Sequence, residues 1–334
     1  IGGDIVHSKT QGISPELIQC LSWWFNEMAK VAPTHVILGN HDGLMLNKDR
    51  QDTISPIVKA LNNPNIYLYK KSGNYEIPGH QGFFWNVFSC FDEENWNNVF
   101  PIPGAVNIAL YHGAISHSKT DTGWNLSGDD TIDLFDNYDY ALLGDIHKAQ
   151  FLTHDKKIAY CGSTIQQNYG EDLDKGFLLW DIRDKDDFDV RFYSVDQPNP
   201  FVTITWDKCV KDVIAKASEY PDHARFRIKS SSKIDQADIK QISGELKEKK
   251  RAKEIVYKID NDFNSGALGE SSHKMMIDLR HEKNLTTLFN DYFANITKEA
   301  RGKISDLIPH FLNKSNELEV NKERSRNINW TLKK

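Results

Sequence analysis

Four short segments of the sequence place metal-binding side chains directly after apolar stretches that have the length of buried strands. They are Gly3–His7 (GDIVH), Gly39–Asp42 (GNHD), Tyr111–Gly113 (YHG) and Gly144–His147 (GDIH). In a layered α/β protein, the loops at the carboxyl ends of the strands converge on one crevice. We therefore expect five candidate ligands to meet there: Asp4, Asn40, His112, Asp145 and His147. Mixed carboxylate, amide and imidazole ligands suit Mn, Fe or Zn better than Mg or Ca.

Each segment taken alone also has an ordinary structural explanation. A single histidine at a strand end is more often a hydrogen-bonded structural residue, and Gly-Asp and Asn-His-Asp sequences also form turns. The ordered set of GDxxH, GNHD, His-Gly and Gly-x-x-His is what indicates a site.

This ordered set resembles the calcineurin-like metallophosphoesterases. Within them it is most similar to the SbcD-type nucleases of DNA double-strand-break repair, which include the eukaryotic meiotic-recombination nuclease. Tyr160–Thr164, followed by Gly170-Glu171 and Lys175–Phe177, resembles the "PGS…GE…KGF" segment that separates these nucleases from the wider superfamily. The resemblance is close over residues 1–195, and the segment 200–260 resembles the family's DNA-capping domain.

The resemblance implies two divalent metal ions, with Mn as the expected metal and Mg or Fe as alternatives. It assigns Asp4 as the ligand that bridges both metals. The ligands of the second metal are then Asp4, Asn40, His112 and Asp145, and the first metal retains Asp4 and His147.

The resemblance also implies a catalytic role for three residues of the first two segments. His41 would stabilise the transition state or protonate the leaving oxygen, and Asp42 would orient His41. His7 would position the phosphate.

The sequence departs from the family pattern in two places. The family opens with a strand ending in Asp-x-His, for which there is no room before Asp4. We expect that strand to precede Ile1 in a longer protein, so that these 334 residues bind at most one metal well and have little activity alone. The last family motif is Gly-His-x-His, and Asp145 replaces its first imidazole, which favours a harder metal.

The pattern of apolar residues predicts an α/β fold. Ser14-Pro15 begins a helix that runs to about Val31, a buried strand covers Thr34–Leu38, and a second helix lies near Thr53–Leu61. Further strands are predicted near residues 66–68, 83–89, 106–111, 140–143, 157–161, 176–182 and 189–193. The resemblance implies a four-layer α/β/β/α sandwich with a small α+β capping domain and C-terminal helices.

We predict four regions along the chain, with the first boundary at the Pro-rich segment QPNP. Residues 1–197 form the metallophosphoesterase domain, and residues 198–260 form a compact βαββ-like module. Residues 261–283 read as a linker. Residues 284–334 are predicted to be helical. The resemblance implies that they bind an SbcC-type ATPase.

The charge is distributed unevenly along the chain. Residues 1–200 hold 15 Lys and Arg against 27 Asp and Glu, whereas residues 201–334 hold 26 against 20. An acidic first part suits a cation site, and a mildly basic second part is compatible with a polyanion. A basic run from Lys247 to Lys253 either contacts phosphates or simply complements a helix C-terminus.

The leading hypothesis is a metal-dependent DNA exo/endonuclease of a repair and recombination complex, with DNA and an SbcC-type, SMC-like ATPase as partners. We expect a homodimer, with a downstream fusion to the ATPase as an alternative. No apolar run is long enough for a membrane span, and we expect a cytoplasmic protein of a bacterial or phage-infected cell, or a nuclear one in a eukaryote. The four scattered cysteines are predicted to be buried free thiols. The alternatives are another calcineurin-like phosphoesterase and a catalytically impaired scaffold that binds DNA or the ATPase.

Overall fold

The first helices and strands form where the sequence signals predict them. Helix α1 spans Pro15–Val31, and the Ser14 hydroxyl caps it by accepting the Leu17 N–H at 3.2 Å. Strand β1 (Thr34–Ile37) pairs in parallel with β2 (Ile66–Tyr69), and helix α2 (Ile54–Leu61) lies between them in the chain. These elements come from a computed structural model that describes residues 1–7, 12–45, 47, 50–126 and 130–259.

A six-stranded sheet supports the loops that carry His112, Asp145 and His147. Its strands β4, β5, β6 and β8 are parallel, and β3 and β7 close its two edges in antiparallel pairing, in the order β3-β4-β5-β6-β8-β7. Short 3₁₀ helices precede β5 and β6, at Glu93–Asn98 and Ile132–Phe135. The strands are Gly73–Glu76 (β3), Phe83–Phe88 (β4), Val106–His112 (β5), Tyr140–Gly144 (β6), Gln150–Phe151 (β7) and Ile158–Tyr160 (β8).

Two further sheets follow in the chain. Strands β9 (Gly176–Ile182) and β10 (Phe188–Ser194) form an antiparallel hairpin whose Trp180 and Phe188 pack in one cluster with Tyr140 of β6. After it comes a parallel three-stranded sheet, β11-β12-β13, with a helix in each crossover. Its elements are β11 (Phe201–Thr205), α3 (Val210–Ser218), β12 (Arg225–Ser230), α4 (Gln236–Lys250) and β13 (Glu254–Ile259).

The segment 201–259, which we call the parallel module, has its own apolar core. Phe226, Ile228, Ile242 and Leu246 are fully buried in it. The module is therefore a βαβαβ unit with an all-parallel sheet, and the βαββ-like and α+β descriptions from the sequence are wrong in this respect. The predicted linker at 261–283 and the helical region at 284–334 lie outside the described residues.

One prediction from composition is also wrong in part, because the four cysteines are not all buried. Cys20 is exposed, although Cys90 is buried and the four cysteines are free thiols. Among the described helices, none is both long and apolar enough to cross a membrane. The mixed α/β character is confirmed by the observed sheets and helices.

Phe25 shows how α1 is held on the sheet. Its side chain is 0% exposed and packs with Val36 and Ile54, whereas Trp23 on the same helix is 62% exposed. We expect Phe25→Ala to lower the free energy of unfolding by about 3–5 kcal/mol, because it leaves a cavity in the core. The matched control Trp23→Ala should change it by about 0.5 kcal/mol or less. Urea denaturation of the two variants measures both values, and equal effects would contradict this packing.

His35 joins the two-stranded sheet to the six-stranded sheet. Its Nδ1 lies 2.8 Å from the Tyr69 hydroxyl and accepts the indole N–H of Trp85 at 3.2 Å. The ring also stacks on Tyr67, with centroids 4.9 Å apart. An Nδ1 that accepts cannot carry a proton, so the ring is neutral with its proton on Nε2. Burial lowers the pKa of His35 to about 4.

This lowered pKa predicts how stability depends on pH. The unfolded His35 takes up a proton near its ordinary pKa of 6.5, whereas the folded one resists it down to about 4. The contribution of the neutral His35 ring to the free energy of unfolding is therefore fully present above pH 6.5 and is lost as the pH falls toward 4. We expect the difference in unfolding free energy between the unaltered chain and His35→Gln to shrink over this range. The exposed His154→Asn is the control, and a difference that stays constant with pH would refute the assignment.

Candidate metal centre

Adjacent parallel strands place His112 and Asp145 side by side. His112 is the last residue of β5 and pairs in register with Gly144, the last residue of β6, so that Asp145 begins the next loop. The Ile1 backbone exchanges hydrogen bonds with β1, at His35 O and Ile37 N, which brings the segment after Ile1 to the same end of the fold. Three chain segments thus meet at the carboxyl ends of these strands.

Three of the predicted ligands come together here. Asp4, His112 and Asp145 each offer one ligand atom, and these atoms lie within 4.8 Å of one another. His112 Nε2 is 3.3 Å from Asp4 Oδ1 and 3.7 Å from Asp145 Oδ1. Neither contact has hydrogen-bond geometry, so Nε2 is a buried nitrogen without a hydrogen-bond partner among the described residues.

The other ring nitrogen of His112 decides the state of Nε2. Nδ1 lies 2.6 Å from the carbonyl oxygen of Gly2. A carbonyl oxygen only accepts, so Nδ1 carries the proton, and the neutral ring directs the lone pair of Nε2 between the two carboxylates. A lone pair facing two negative oxygens is unfavourable unless a proton or a cation lies between them. The donor set therefore fits a divalent cation.

The pKa shifts of His112, Asp4 and Asp145 also bear on the charge that this site favours. Burial works against a charged His112, but the Asp4 carboxylate and the Gly2 carbonyl raise its pKa above the usual value. Burial likewise opposes the charge on Asp4, but His112 holds its pKa below the usual range. Burial raises the pKa of Asp145. The directions of these pKa shifts favour a positive charge near Nε2, and a metal that binds there would compete with a proton.

Glycines allow the three segments to approach this closely. A Cβ on Gly39 would collide with Asp4 and with the His112 ring, and a Cβ on Gly144 would collide with the Gly2 carbonyl. Asp4 and Asp145 themselves have positive φ angles of 54° and 95°. Such conformations are costly for residues other than glycine and cluster at functional sites.

The GNHD loop contributes its backbone and its histidine. The N–H of His41 donates to Asp4 Oδ1 at 2.8 Å, and His41 Nδ1 lies 2.6 Å from Nδ1 of His7. The buried Asp42 carboxylate accepts the N–H of Val6 at 2.9 Å and the N–H of Gly39 at 2.8 Å. These bonds tie the loop to the 3–7 segment, so Asp42 positions backbone on both sides of the site, and its role in orienting His41 stays a prediction. Burial raises the pKa of Asp42 to about 6.

The remaining two predicted ligands occupy different positions. Asn40 stands in the same loop, between Gly39 and His41, which both contact Asp4. His147 lies outside the group of three, and its Nδ1 is 2.9 Å from Glu171 Oε1. The structure therefore gathers three of the four predicted carboxylate and imidazole ligands in one cluster, beside the loop that carries Asn40.

Sequence reasoning missed the residues around His147. Glu171 and Lys175 belong to the "GE…KGF" resemblance, but no role was predicted for either side chain. Lys175 is buried, and its Nζ contacts Glu171 Oε2 at 3.1 Å and Asp121 Oδ2 at 3.0 Å. The sequence feature that could have indicated a role is that Glu171 and Lys175 are charged residues within the segment that carries the resemblance.

A cavity of about 370 Å³ opens beside the cluster. Asp145 and His147 form one of its sides, so a ligand in the cavity reaches both. The other lining residues are mostly small or polar, among them Thr120, Asp121, Thr122, Asn168 and Glu171. The arrangement can therefore hold a polar molecule against a cation at Asp145.

No protein-family profile matches the sequence. It is similar to the protein of Acanthamoeba polyphaga mimivirus named "Uncharacterized protein R555", with 38% identity over 196 residues, 55% of this chain and 14% of that protein. It is also similar to a protein of invertebrate iridescent virus 6 named "Putative phosphoesterase 244L", with 27% identity over 201 residues, 54% of this chain and 62% of that protein. The chain thus spans less than two thirds of each of these relatives.

His112 provides the direct test of the centre. We expect His112→Asn to weaken Mn²⁺ binding by at least about 10–100-fold, because losing a ligand should cost no less than losing the partner of a ligand. Asparagine places an N–H near the position of Nδ1 and so retains a donor for the Gly2 carbonyl, but it removes Nε2. Titration calorimetry with Mn²⁺ measures the change, with the exposed His154→Asn as control. Unchanged affinity in His112→Asn would exclude His112 as a ligand.

Proposed function

We propose that this chain is a metal-dependent phosphoesterase, and within that class a DNA exo/endonuclease that acts in double-strand-break repair or recombination. The observation that supports it best is the buried Nε2 of His112, which faces the carboxylates of Asp4 and Asp145. The similarity to a viral protein named as a phosphoesterase supports the broader class.

Asp4, His112 and Asp145 would hold one divalent cation, for which we propose Mn²⁺. When bound, such a cation neutralises charge on phosphate oxygens and activates water as a nucleophile. The second cation, with His147 among its ligands, is proposed on the resemblance to the metallophosphoesterases. The four-layer α/β/β/α arrangement is proposed on the same ground.

His41 and His7 are suited to the phosphate itself. The two imidazoles lie beside Asp4 with ring centroids 4.4 Å apart, and His7 is exposed at the edge of the site. We assign to His41 the proton for the leaving oxygen, and to His7 a hydrogen bond that orients the phosphate. Asp42 keeps both loops in place through the backbone amides of Val6 and Gly39.

The nuclease assignment, as opposed to a general phosphoesterase, is supported by two features outside the metal cluster. The "GS…GE…KGF" segment surrounds His147, and the parallel module follows it directly. Among the described residues, the basic run Lys247–Lys253 at the C-terminal end of α4 is only partly neutralised, since Lys249 pairs with Glu245 and Lys250 with Asp222. We propose that this run contacts DNA phosphates.

We propose the partners on the resemblance alone. They are an SbcC-type, SMC-like ATPase that would bind through residues 284–334, and a second copy of this chain. These residues lie beyond the part of the chain that the structure describes.

His41 tests the chemistry. We expect the full-length polypeptide with Mn²⁺ to hydrolyse labelled DNA and the diester bis(p-nitrophenyl) phosphate faster than the monoester p-nitrophenyl phosphate. His41→Ala should lower kcat for the diester by about 10²–10⁴-fold, because it removes a general acid. The exposed His154→Ala should leave kcat unchanged.

The outcomes separate the competing functions. Preference for the monoester would exclude a nuclease in favour of another phosphoesterase. Tight Mn²⁺ binding without hydrolysis of any substrate would exclude an enzyme and favour the DNA-binding or ATPase-binding scaffold.

A further inference from the structure

His147 is held by a partner that defines which of its nitrogens is available. Its Nδ1 lies 2.9 Å from Oε1 of Glu171. The Glu171 side chain is 6% exposed, and the carboxylate is an acceptor. Nδ1 must therefore donate, and the neutral ring then keeps its lone pair on Nε2, as in histidine ligands of metals.

Glu171 is itself fixed by buried polar contacts. Its Oε1 also accepts from Nδ2 of Asn168 at 2.8 Å. The buried Lys175 ammonium lies 3.1 Å from Oε2 and also donates to Asp121 Oδ2 and to the carbonyl of His147, both at 3.0 Å. Lys175 thus contacts both members of the pair, the Glu171 carboxylate and the His147 backbone. Burying these charges is unfavourable unless each finds partners, which confines the group to few arrangements.

Gln166 connects this group to the parallel module. Its amide Nε2 donates to the carbonyl of Glu171 at 2.9 Å and to the carbonyl of Phe201 at 3.3 Å, and its Oε1 accepts the N–H of Phe201 at 2.9 Å. The side chain is 6% exposed. Because Phe201 is the first residue of β11, one buried side chain links the backbone at Glu171 to the edge of the module.

The other two strands of the module contact the same segment through Tyr169. The Tyr169 hydroxyl donates to Glu254 Oε2 at 2.7 Å, at the start of β13. Arg227 of β12 donates to the Tyr169 carbonyl at 3.0 Å and lies over the Tyr169 ring. Each strand of the parallel sheet thus contacts the segment between Gln166 and Glu171.

We propose that Glu171 is a positioning residue that keeps the His147 proton on Nδ1, and that Gln166 makes this positioning depend on the parallel module. The proposal rests on the proposed function only in taking His147 as a ligand. The module then has a structural role at the site that is separate from any contact with DNA.

The tautomer of His147 can be measured without any activity. Long-range ¹H–¹⁵N correlation spectra of the full chain, labelled in histidine, show which ring nitrogen carries the proton, and His147→Asn assigns the signal. We expect the Nδ1–H form in the unaltered chain and in Glu171→Gln, whose amide oxygen still accepts. Glu171→Ala should move the proton to Nε2 or produce an average of the two forms. It should also weaken Mn²⁺ binding by about 10–100-fold.

Gln166→Ala tests the connection to the module. We expect it to give a mixture of the two His147 tautomers, whereas the exposed Gln241→Ala of α4 should leave the spectrum unchanged. A His147 signal that is the same in Glu171→Ala would overturn the positioning role. A changed signal in Glu171→Ala with an unchanged one in Gln166→Ala would overturn the dependence on the module.

Two further measurements keep these results interpretable. Thermal unfolding of each variant shows whether it is folded at the temperature of the spectra. Where Glu171→Ala does not fold, the unaltered chain still tests the proposal, because a His147 proton found on Nε2 would overturn it. A failure to find hydrolysis would overturn the proposed function but would leave the tautomer result as it stands.

Discussion

The hydrogen bond between His112 Nδ1 and the Gly2 carbonyl is the contact on which the candidate centre depends. It joins the end of β5 to the first residues of the chain and fixes the ring so that Nε2 faces Asp4 and Asp145. Leaving a buried polar atom without a partner costs about 1–3 kcal/mol. A cation bound at Nε2 would remove that cost, and a ligand that binds the folded state alone stabilises it by mass action.

The same hydrogen bond requires the backbone segments to lie almost in contact. Gly39 and Gly144 are the positions where any side chain would collide with Asp4, His112 or Gly2. The buried Asp42 also links these segments, because its carboxylate accepts the backbone N–H groups of Val6 and Gly39. Burial raises the pKa of this carboxyl to about 6, which opposes its charge, but the carboxylate satisfies two backbone amides.

Local signals in the sequence were enough to predict most elements, because caps and periodicity act over a few residues. Ser14 and Pro15 start α1 as predicted, and β9 has the predicted bounds. Strand β3 was missed because Gly73–Glu76 is a short, polar edge strand without an apolar alternation. The apolar character of α1 does not decide which of its residues are buried, since Phe25 is buried whereas Trp23 on the same helix is exposed.

The candidate site was predictable only as far as its motifs. The convergence of loops at the carboxyl ends of strands predicted that Asp4, His112 and Asp145 lie near one another. Parallel neighbours such as β5 and β6 do end together. The same reasoning could not predict the partner of His147, since Glu171 is distant in sequence and contacts His147 from a loop. Side-chain partners across such distances depend on packing that no local pattern encodes.

The loop after β6 places two residues that are close in sequence, Asp145 and His147, against different neighbours. Asp145 directs its carboxylate toward His112, and His147, two residues later, contacts Glu171 on the side of the parallel module. The positive φ of Asp145 turns the chain between these two positions, and the cavity of about 370 Å³ is lined by both residues. A phosphate in that cavity would therefore lie between a ligand fixed by the central sheet and a histidine fixed by the module. The module reaches Glu171 through the hydrogen bonds of Gln166, whereas Asp4 and His112 are held by separate bonds to the His41 amide and the Gly2 carbonyl.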